Sequence, residues 1–317
     1  MTPPVTRVLA LLHLDGTDGP GERDRTVLAA LRALAAHGGI EQVCLLHVIE
    51  TGRRLPFRTE IPRRDIDDGR PALFDHIAAD LDAALPDTRV VAFGARGRVI
   101  EEIARINERE GCDLVVLARG RTETGVARWG DHGLRILRLA DAAVLVLPEG
   151  VPLTLDRAVV GMDLSPHAMT ALAVATTLCP RVEALAVLDT AGEGLHTDTL
   201  GAVEAEMREA YTRQALAALR ALAPGPSKGG EDLPAPPLRV LDAANPADAL
   251  LSAGADADLL VVGSRGLTPL AAVLLGSTAE RLGGRCERPL LVWRTRGQQQ
   301  GLFEALFGKR AGGVKEP

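Results

Sequence analysis

ADLLVVGSRG, residues Ala257–Gly266, and CDLVVLARG, residues Cys112–Gly120, read as one pattern written twice. Each is an Asp, a short unbroken run of Val and Leu, and an end in glycine and arginine. So short and so apolar a run suits a parallel strand buried on both faces. Runs of the same kind recur at Val8–Leu12, Val43–Ile49, Arg89–Phe93, Leu114–Leu117 and Val144–Leu147 in the first half. In the second half they recur at Ala158–Met162, Ala184–Leu188, Leu238–Leu241, Leu259–Val262 and Leu290–Trp293. Helical patterns separate them, and strands alternating with helices give an open α/β sheet. The expectation is two tandem open sheets of five strands each.

The two halves are repeats. Arg7–Asp15 (RVLALLHLD) aligns with Arg157–Ser165 (RAVVGMDLS) at an offset of 150 residues. Cys112–Gly120 aligns with Ala257–Gly266 once one residue is skipped, which sets Leu117 opposite Gly263. A tandem duplication accounts for both. The linker falls at Pro148–Leu155 (PEGVPLTL), so the domains are read as 1–150 and 151–296, with a tail over 297–317. Ser165-Pro166 is an N-cap followed by proline at the first helical position. Thr199–Leu222 reads as a long amphipathic helix, and Pro224–Pro237 as a flexible excursion. In the tail, Leu302, Phe303, Leu306 and Phe307 form an apolar stripe at helical spacing. It suits a short helix docked on its own domain or on a partner.

Composition excludes several classes. The 317 residues suit two domains of about 150 each. Lys and Arg total 36 against 42 Asp and Glu, net −6, so no basic face for nucleic acid is expected. Aromatic residues are only 3%, which argues against base-stacking platforms. No apolar run approaches the ~20 residues needed to span a bilayer, and Met1–Ala10 does not resemble a secretory signal. Cys44, Cys112, Cys179 and Cys286 form no CxxC pair, which fits a reducing, cytoplasmic setting. The seven histidines show no metal-ligand spacing, and His47 inside VCLLHVIE reads as a core histidine.

Chemistry concentrates in Val261–Arg281, VVGSRGLTPLAAVLLGSTAER. A buried strand ends in Gly263-Ser264-Arg265-Gly266, and Gly276-Ser277-Thr278 opens a helix ten residues later. In open α/β sheets ligands sit beyond the carboxyl ends of strands. Glycines let backbone N–H groups approach a phosphate, and a helix N-terminus adds free donors and a favourable dipole. A purely structural reading competes. Ser277 and Glu280 have capping-box spacing, and Gly263 with Gly266 can simply make a tight turn.

Gly263-x2-Gly266-x9-Gly276-Ser277 resembles the nucleotide motif of the universal stress protein family, in its ATP-binding branch. Ala158–Asp163 followed by Ser165 resembles the family's opening strand, Ala184–Asp189 its second, and Pro289–Trp293 its last. The resemblance implies a parallel five-stranded sheet of order 3-2-1-4-5 with helices on both faces, present twice. It implies that Asp163 meets the ribose or adenine end of ATP and that Val187 lies by the adenine through its backbone. Val262 and Gly263 would sit beneath the ribose and phosphates, with Gly266, Gly276, Ser277 and Thr278 holding the triphosphate. Arg265 is a further candidate. Any Mg2+ would arrive bridging the phosphates. Asp163 also has a structural alternative, as a turn residue after its strand.

The first half departs from the pattern. Its aligned segment is Leu117-Ala118-Arg119-Gly120, then Gly130-Asp131-His132, and His13 stands in place of Asp163. Leu117 would crowd the phosphate and Asp131 would repel it, so this half is read as structural. There is no Walker lysine and no evident base, so the chain is read as a binding protein rather than an enzyme, with slow ATPase activity left open. The leading function is an ATP-binding, stress-response regulator with one site. The alternatives are a non-nucleotide interaction protein of the same fold and a slow nucleotide hydrolase. The family's single-domain members pair through their fifth strands. By that resemblance Val144–Leu147 and Leu290–Trp293 should pair antiparallel within the chain, forming an internal pseudo-dimer. An unidentified protein partner and a further homodimer through other surfaces stay open, and neither nucleic acid nor membrane is expected.

Overall fold

The computed structural model describes residues 5–14, 19–50, 72–121, 127–128, 133–188, 197–222, 234–264 and 276–294. The first half contributes β1 (Arg7–Leu12), α1 (Glu22–His37), β2 (Gln42–Glu50), α2 (Ala72–Ala84), β3 (Arg89–Gly97) and α3 (Val99–Glu110). It continues with β4 (Leu114–Arg121), β5 (Ala127–Arg128), α4 (Gly133–Leu139) and β6 (Ala143–Pro148). The second half contributes β7 (Arg157–Met162), α5 (Pro166–Leu178), β8 (Arg181–Leu188), α6 (Thr197–Leu222) and β9 (Leu238–Asp242). It ends with α7 (Pro246–Ala253), β10 (Leu259–Gly263), α8 (Ser277–Arg285) and β11 (Leu290–Trp293).

The expectation of two separate five-stranded sheets is corrected. Ten strands form one path, β3-β2-β1-β4-β6-β11-β10-β7-β8-β9, and the two-residue β5 pairs only with β4. Each half keeps the order 3-2-1-4-5 with parallel pairing. The halves join where β6 and β11 run antiparallel, with Val144 opposite Val292, Leu145 opposite Leu291 and Val146 opposite Leu290. The reason is physical: two apolar edge strands in one chain satisfy each other's backbone N–H and C=O groups. The expected pseudo-dimer contact is therefore what fuses the sheets.

Because side chains alternate along a strand, the fused sheet carries two cores that both cross the seam. Leu145, Leu147, Leu291 and Trp293 face α1, α2, α5 and α6. Val144, Val146, Leu290 and Val292 face α3, α4, α7 and α8. Ser165 caps α5, its hydroxyl accepting from the Ala168 N–H at 3.1 Å, with proline next as expected. His47 is buried, its Nδ1 3.1 Å from the Leu12 carbonyl, as a core histidine should be. The four cysteines are free and buried. The arginine-rich loop 53–70, most of the 224–237 excursion and the tail stripe lie outside the described residues.

The Asp that opens each repeated strand has a shared task. The Asp113 carboxylate accepts from the Thr6 N–H at 3.0 Å and the Arg7 N–H at 3.1 Å. Asp258 accepts from the Thr154 hydroxyl at 2.7 Å and the Arg157 N–H at 2.8 Å. Each thus fastens the start of its neighbouring first strand. The Thr154 hydroxyl bond, helped by backbone donors, holds the Asp258 carboxyl below its ordinary range.

Two measurements check this fold. Leu145→Cys with Leu291→Cys should oxidise to a disulfide within one chain, since directly opposed residues have Cβ atoms ~4.5–5.5 Å apart. Alkylation after denaturation would then find two fewer thiols than in the reduced protein. Crosslinks only between chains would contradict the seam. For Asp258 the folded value is depressed, so its stabilisation is present above the unfolded value, ~3.9, and fades as pH falls through the folded one. The stability gap between wild type and Asp258→Asn should be open at pH 7 and shrink below pH 4 in denaturant titrations.

Candidate functional site

The strand order reverses between β7 and β10, and the helices that follow them leave on opposite faces. That is the switch point where open α/β sheets bind ligands. Two residues at the end of β10 touch both helix starts. A Cβ at Gly263 would fall 2.9 Å from the Ala168 amide nitrogen and 2.9 Å from the His167 carbonyl carbon. One residue on, the Ser264 carbonyl accepts from the Gly276 N–H at 3.0 Å.

The glycine at 263 thus has a cause the sequence did not reveal: only hydrogen fits between β10 and the first turn of α5. The capping-box alternative for Ser277 is not realised. Gly276 is the N-cap of α8, and among the described residues no side chain caps that end. Glu280 instead reaches Arg138 on α4 in an ion pair. The N–H groups of Ser277, Thr278 and Ala279 have no intrahelical acceptor. Ser277 is exposed and Thr278 half-buried.

The other expected residues gather nearby to differing degrees. Asp163 follows β7 and is exposed, and one carboxylate oxygen accepts from the Ser165 N–H at 2.9 Å, so its turn role is present. Val187 is half-buried near the end of β8, beyond the last β7–β8 pair, Met162 with Ala186. Val262 is buried in the core on the α7–α8 side. Arg265 and Gly266 lie outside the described residues, as do Gly130, Asp131 and His132. Sequence reasoning passed over Trp293, the register partner of Gly263. It is buried, and its indole N–H has no hydrogen-bond partner among the described residues. The Ser264 hydroxyl is likewise buried and unpartnered.

The first half is built differently at the corresponding place. Strand pairing corrects the one-residue skip. Ala10 pairs with Val116 as Val160 pairs with Val261, and Val115 pairs with Val144 as Leu260 pairs with Leu290. Ala118, not Leu117, therefore occupies the place of Gly263, and Leu117 is a core residue on the opposite face. The mouth is occupied by the half's own side chains. The Arg23 guanidinium packs directly against Gly120 and pairs with Glu149 at 3.6 Å. Asp24, 2% exposed, accepts from the His13 N–H at 2.7 Å and the Leu14 N–H at 3.1 Å. In both halves the turn after the first strand holds a left-handed leucine, Leu14 at φ 52° and Leu164 at φ 59°. The carboxylate that fastens it comes from α1 in one half and from Asp163 in the other.

Among the described residues no group of His, Cys, Asp and Glu is placed to hold a metal ion. No described helix is long and apolar enough to cross a membrane.

The Universal stress protein family matches the chain twice, over residues 14–148 and 154–294. Among solved structures, the chain is similar to a functionally unknown protein of Pseudomonas aeruginosa PAO1. Identity is 18%, coverage 96% of this chain and 98% of that one, and the TM-score 0.61. It is also similar to a universal stress protein of Archaeoglobus fulgidus DSM 4304, at 19% identity, 91% and 98% coverage and a TM-score of 0.58. At such identities the likeness is one of fold. No curated protein matches. With both halves matched and sharing one sheet order, the chain is a tandem, two-domain member of the Universal stress protein family.

Proposed function

We propose that the protein is an ATP-binding regulator of the stress response, with its nucleotide site in the second half. The observation that carries this reading is the N-terminus of α8 at the switch point, which no side chain among the described residues caps. Helix starts with free N–H groups favour phosphate through direct bonds and through the dipole. Ser277 and Thr278 add hydroxyls there. Gly276 gives the backbone room, and Gly266 and Arg265 complete the motif by sequence. Asp163 keeps an exposed carboxylate for the ribose end, and Val187 offers backbone to the adenine. The buried Trp293 N–H and Ser264 hydroxyl at the strand end, without partners among the described residues, fit the need for a ligand or water oxygen. Mg2+ would come with the phosphates, because no protein ligand set is found for it among the described residues.

The first half supplies no second site in this reading, since Arg23, Glu149 and Asp24 fill its mouth. No chemical step is part of the proposal: the bound nucleotide changes shape or partner choice. A cytoplasmic setting belongs to this reading, and four free, buried cysteines suit it. The second reading, an interaction protein whose motif is structural, is favoured at one position, Gly263, where helix packing alone requires glycine.

Denatured protein run on anion exchange, with calorimetry on the stripped chain, separates the readings. One ATP per chain is expected, whereas two would give the first half a site and none would favour the interaction protein. Accumulation of ADP or AMP at catalytic rates would point to a hydrolase. Gly276→Asp should abolish binding while circular dichroism stays unchanged, because it sets a carboxylate at the phosphates. Gly263→Ala should instead lower stability by about 1–3 kcal/mol, because the start of α5 must move.

A further inference from the structure

The second half's nucleotide helix is held from the first half. Arg119 ends the apolar part of β4 and is 3% exposed. Its guanidinium crosses the seam to the far end of α8, donating to the Gly283 carbonyl at 2.8 Å and to the Cys286 carbonyl. These are last-turn carbonyls that the helix itself leaves unbonded. A fixed cation there also complements the negative end of the helix dipole. Only nine residues, Ser277–Arg285, separate this grip from the amides proposed to bind phosphate.

A twin contact supplies the comparison. Arg294, 2% exposed, crosses in the other direction to α4, donating to the carbonyls of Leu137 at 2.7 Å and Ala140 at 2.6 Å. Ala140 closes α4 on Ile136 as Cys286 closes α8 on Leu282, so the two arginines take corresponding carbonyls. They do not occupy corresponding positions. Arg119 lies within the fourth strand of its half, and Arg294 follows the fifth. The grips are alike, but α4 serves the half whose mouth is already filled.

We propose that Arg119 is a positioning residue of the nucleotide site: by fixing the C-terminal end of α8, the first half sets how well the helix's N-terminal amides meet the phosphates. This rests on the reading of the second half as an ATP site. The guanidinium touches no nucleotide. It acts through the axial placement of a short helix, where an ångström at one end is an ångström at the other. The first half is then more than a scaffold, since its β4 reports to the neighbouring site.

The test uses the full chain with Arg119→Met and Arg294→Met, each measured for thermal stability and for ATP affinity by calorimetry below the transition. Both variants should melt earlier. Arg119→Met should weaken ATP at least tenfold and Arg294→Met less than twofold. Arg119→Lys, which keeps the charge but not the fork, should fall between wild type and Arg119→Met, and it serves if the methionine variant does not fold. Amide exchange of α8 should quicken in Arg119→Met and not in Arg294→Met. Wild-type affinity in Arg119→Met, or equal losses in both variants, would overturn the inference while leaving the ATP site standing. Wild type that binds no ATP would remove the site itself, and the inference with it.

Discussion

The antiparallel contact of β6 with β11 is the constraint on which the rest depends. Val144, Leu145 and Val146 meet Val292, Leu291 and Leu290, and all six side chains are buried. Left open, either edge would be an apolar template for aggregation. Closed on each other, the edges turn ten strands into one sheet and extend both cores across the seam. Closure also brings the C-terminal ends of α4 and α8 next to the opposite half. Last-turn carbonyls buried there need donors, and in a place closed to water a buried arginine supplies several at once. Arg119 and Arg294 are thus consequences of the seam as much as contributors to it.

Much of this was legible because it follows from composition along the chain. Val/Leu runs mark parallel strands, and all ten lie where the runs predict, although β3 and β9 at the ends of the sheet are less buried than such runs imply. The seam was expected from the family resemblance, and its physical ground is that an apolar fifth strand needs a partner and the duplication supplies one. What failed was fine register. Aligning CDLVVLARG with ADLLVVGSRG by its glycines set Leu117 opposite Gly263, but pairing to the neighbouring strands sets Ala118 there. Identity of letters cannot reveal which residue a strand's hydrogen bonds place at the edge. The arginine grips were hidden for a related reason: they come from positions that do not correspond between the repeats. One clue was available, the charge of Arg119 directly after the apolar run Leu114–Ala118, which once buried demands a partner.

The candidate site was legible as a place and less so in its parts. Beyond β7 and β10 the chain does converge on two helix starts. Yet Ser277 read equally well as a cap, and only the structure shows Gly276 in that position, with no side chain among the described residues closing the helix. Asp163 serves the turn, and its exposed carboxylate leaves room for a second role. Gly263 was read through phosphate, whereas its nearest constraint is the backbone of His167 and Ala168.

That last difference explains why the halves diverged where they did. In the second half, residues 163–165 alone connect β7 to α5, and so tight a turn drives the helix start onto the end of β10. Nothing larger than glycine fits, so position 263 is fixed by packing before any ligand is considered. In the first half the corresponding connection, 13–21, is longer and α1 begins later. At the corresponding position the first half carries Ala118, and its Cβ is accommodated at 6% exposure. The chain uses the added length to bring Arg23 against Gly120 and Asp24 under the turn. A helix start packed on the end of β10 and a mouth filled by its own helix are therefore two outcomes of one loop length. Loop length, rather than loss of a motif residue, is the physical origin of the asymmetry between the halves.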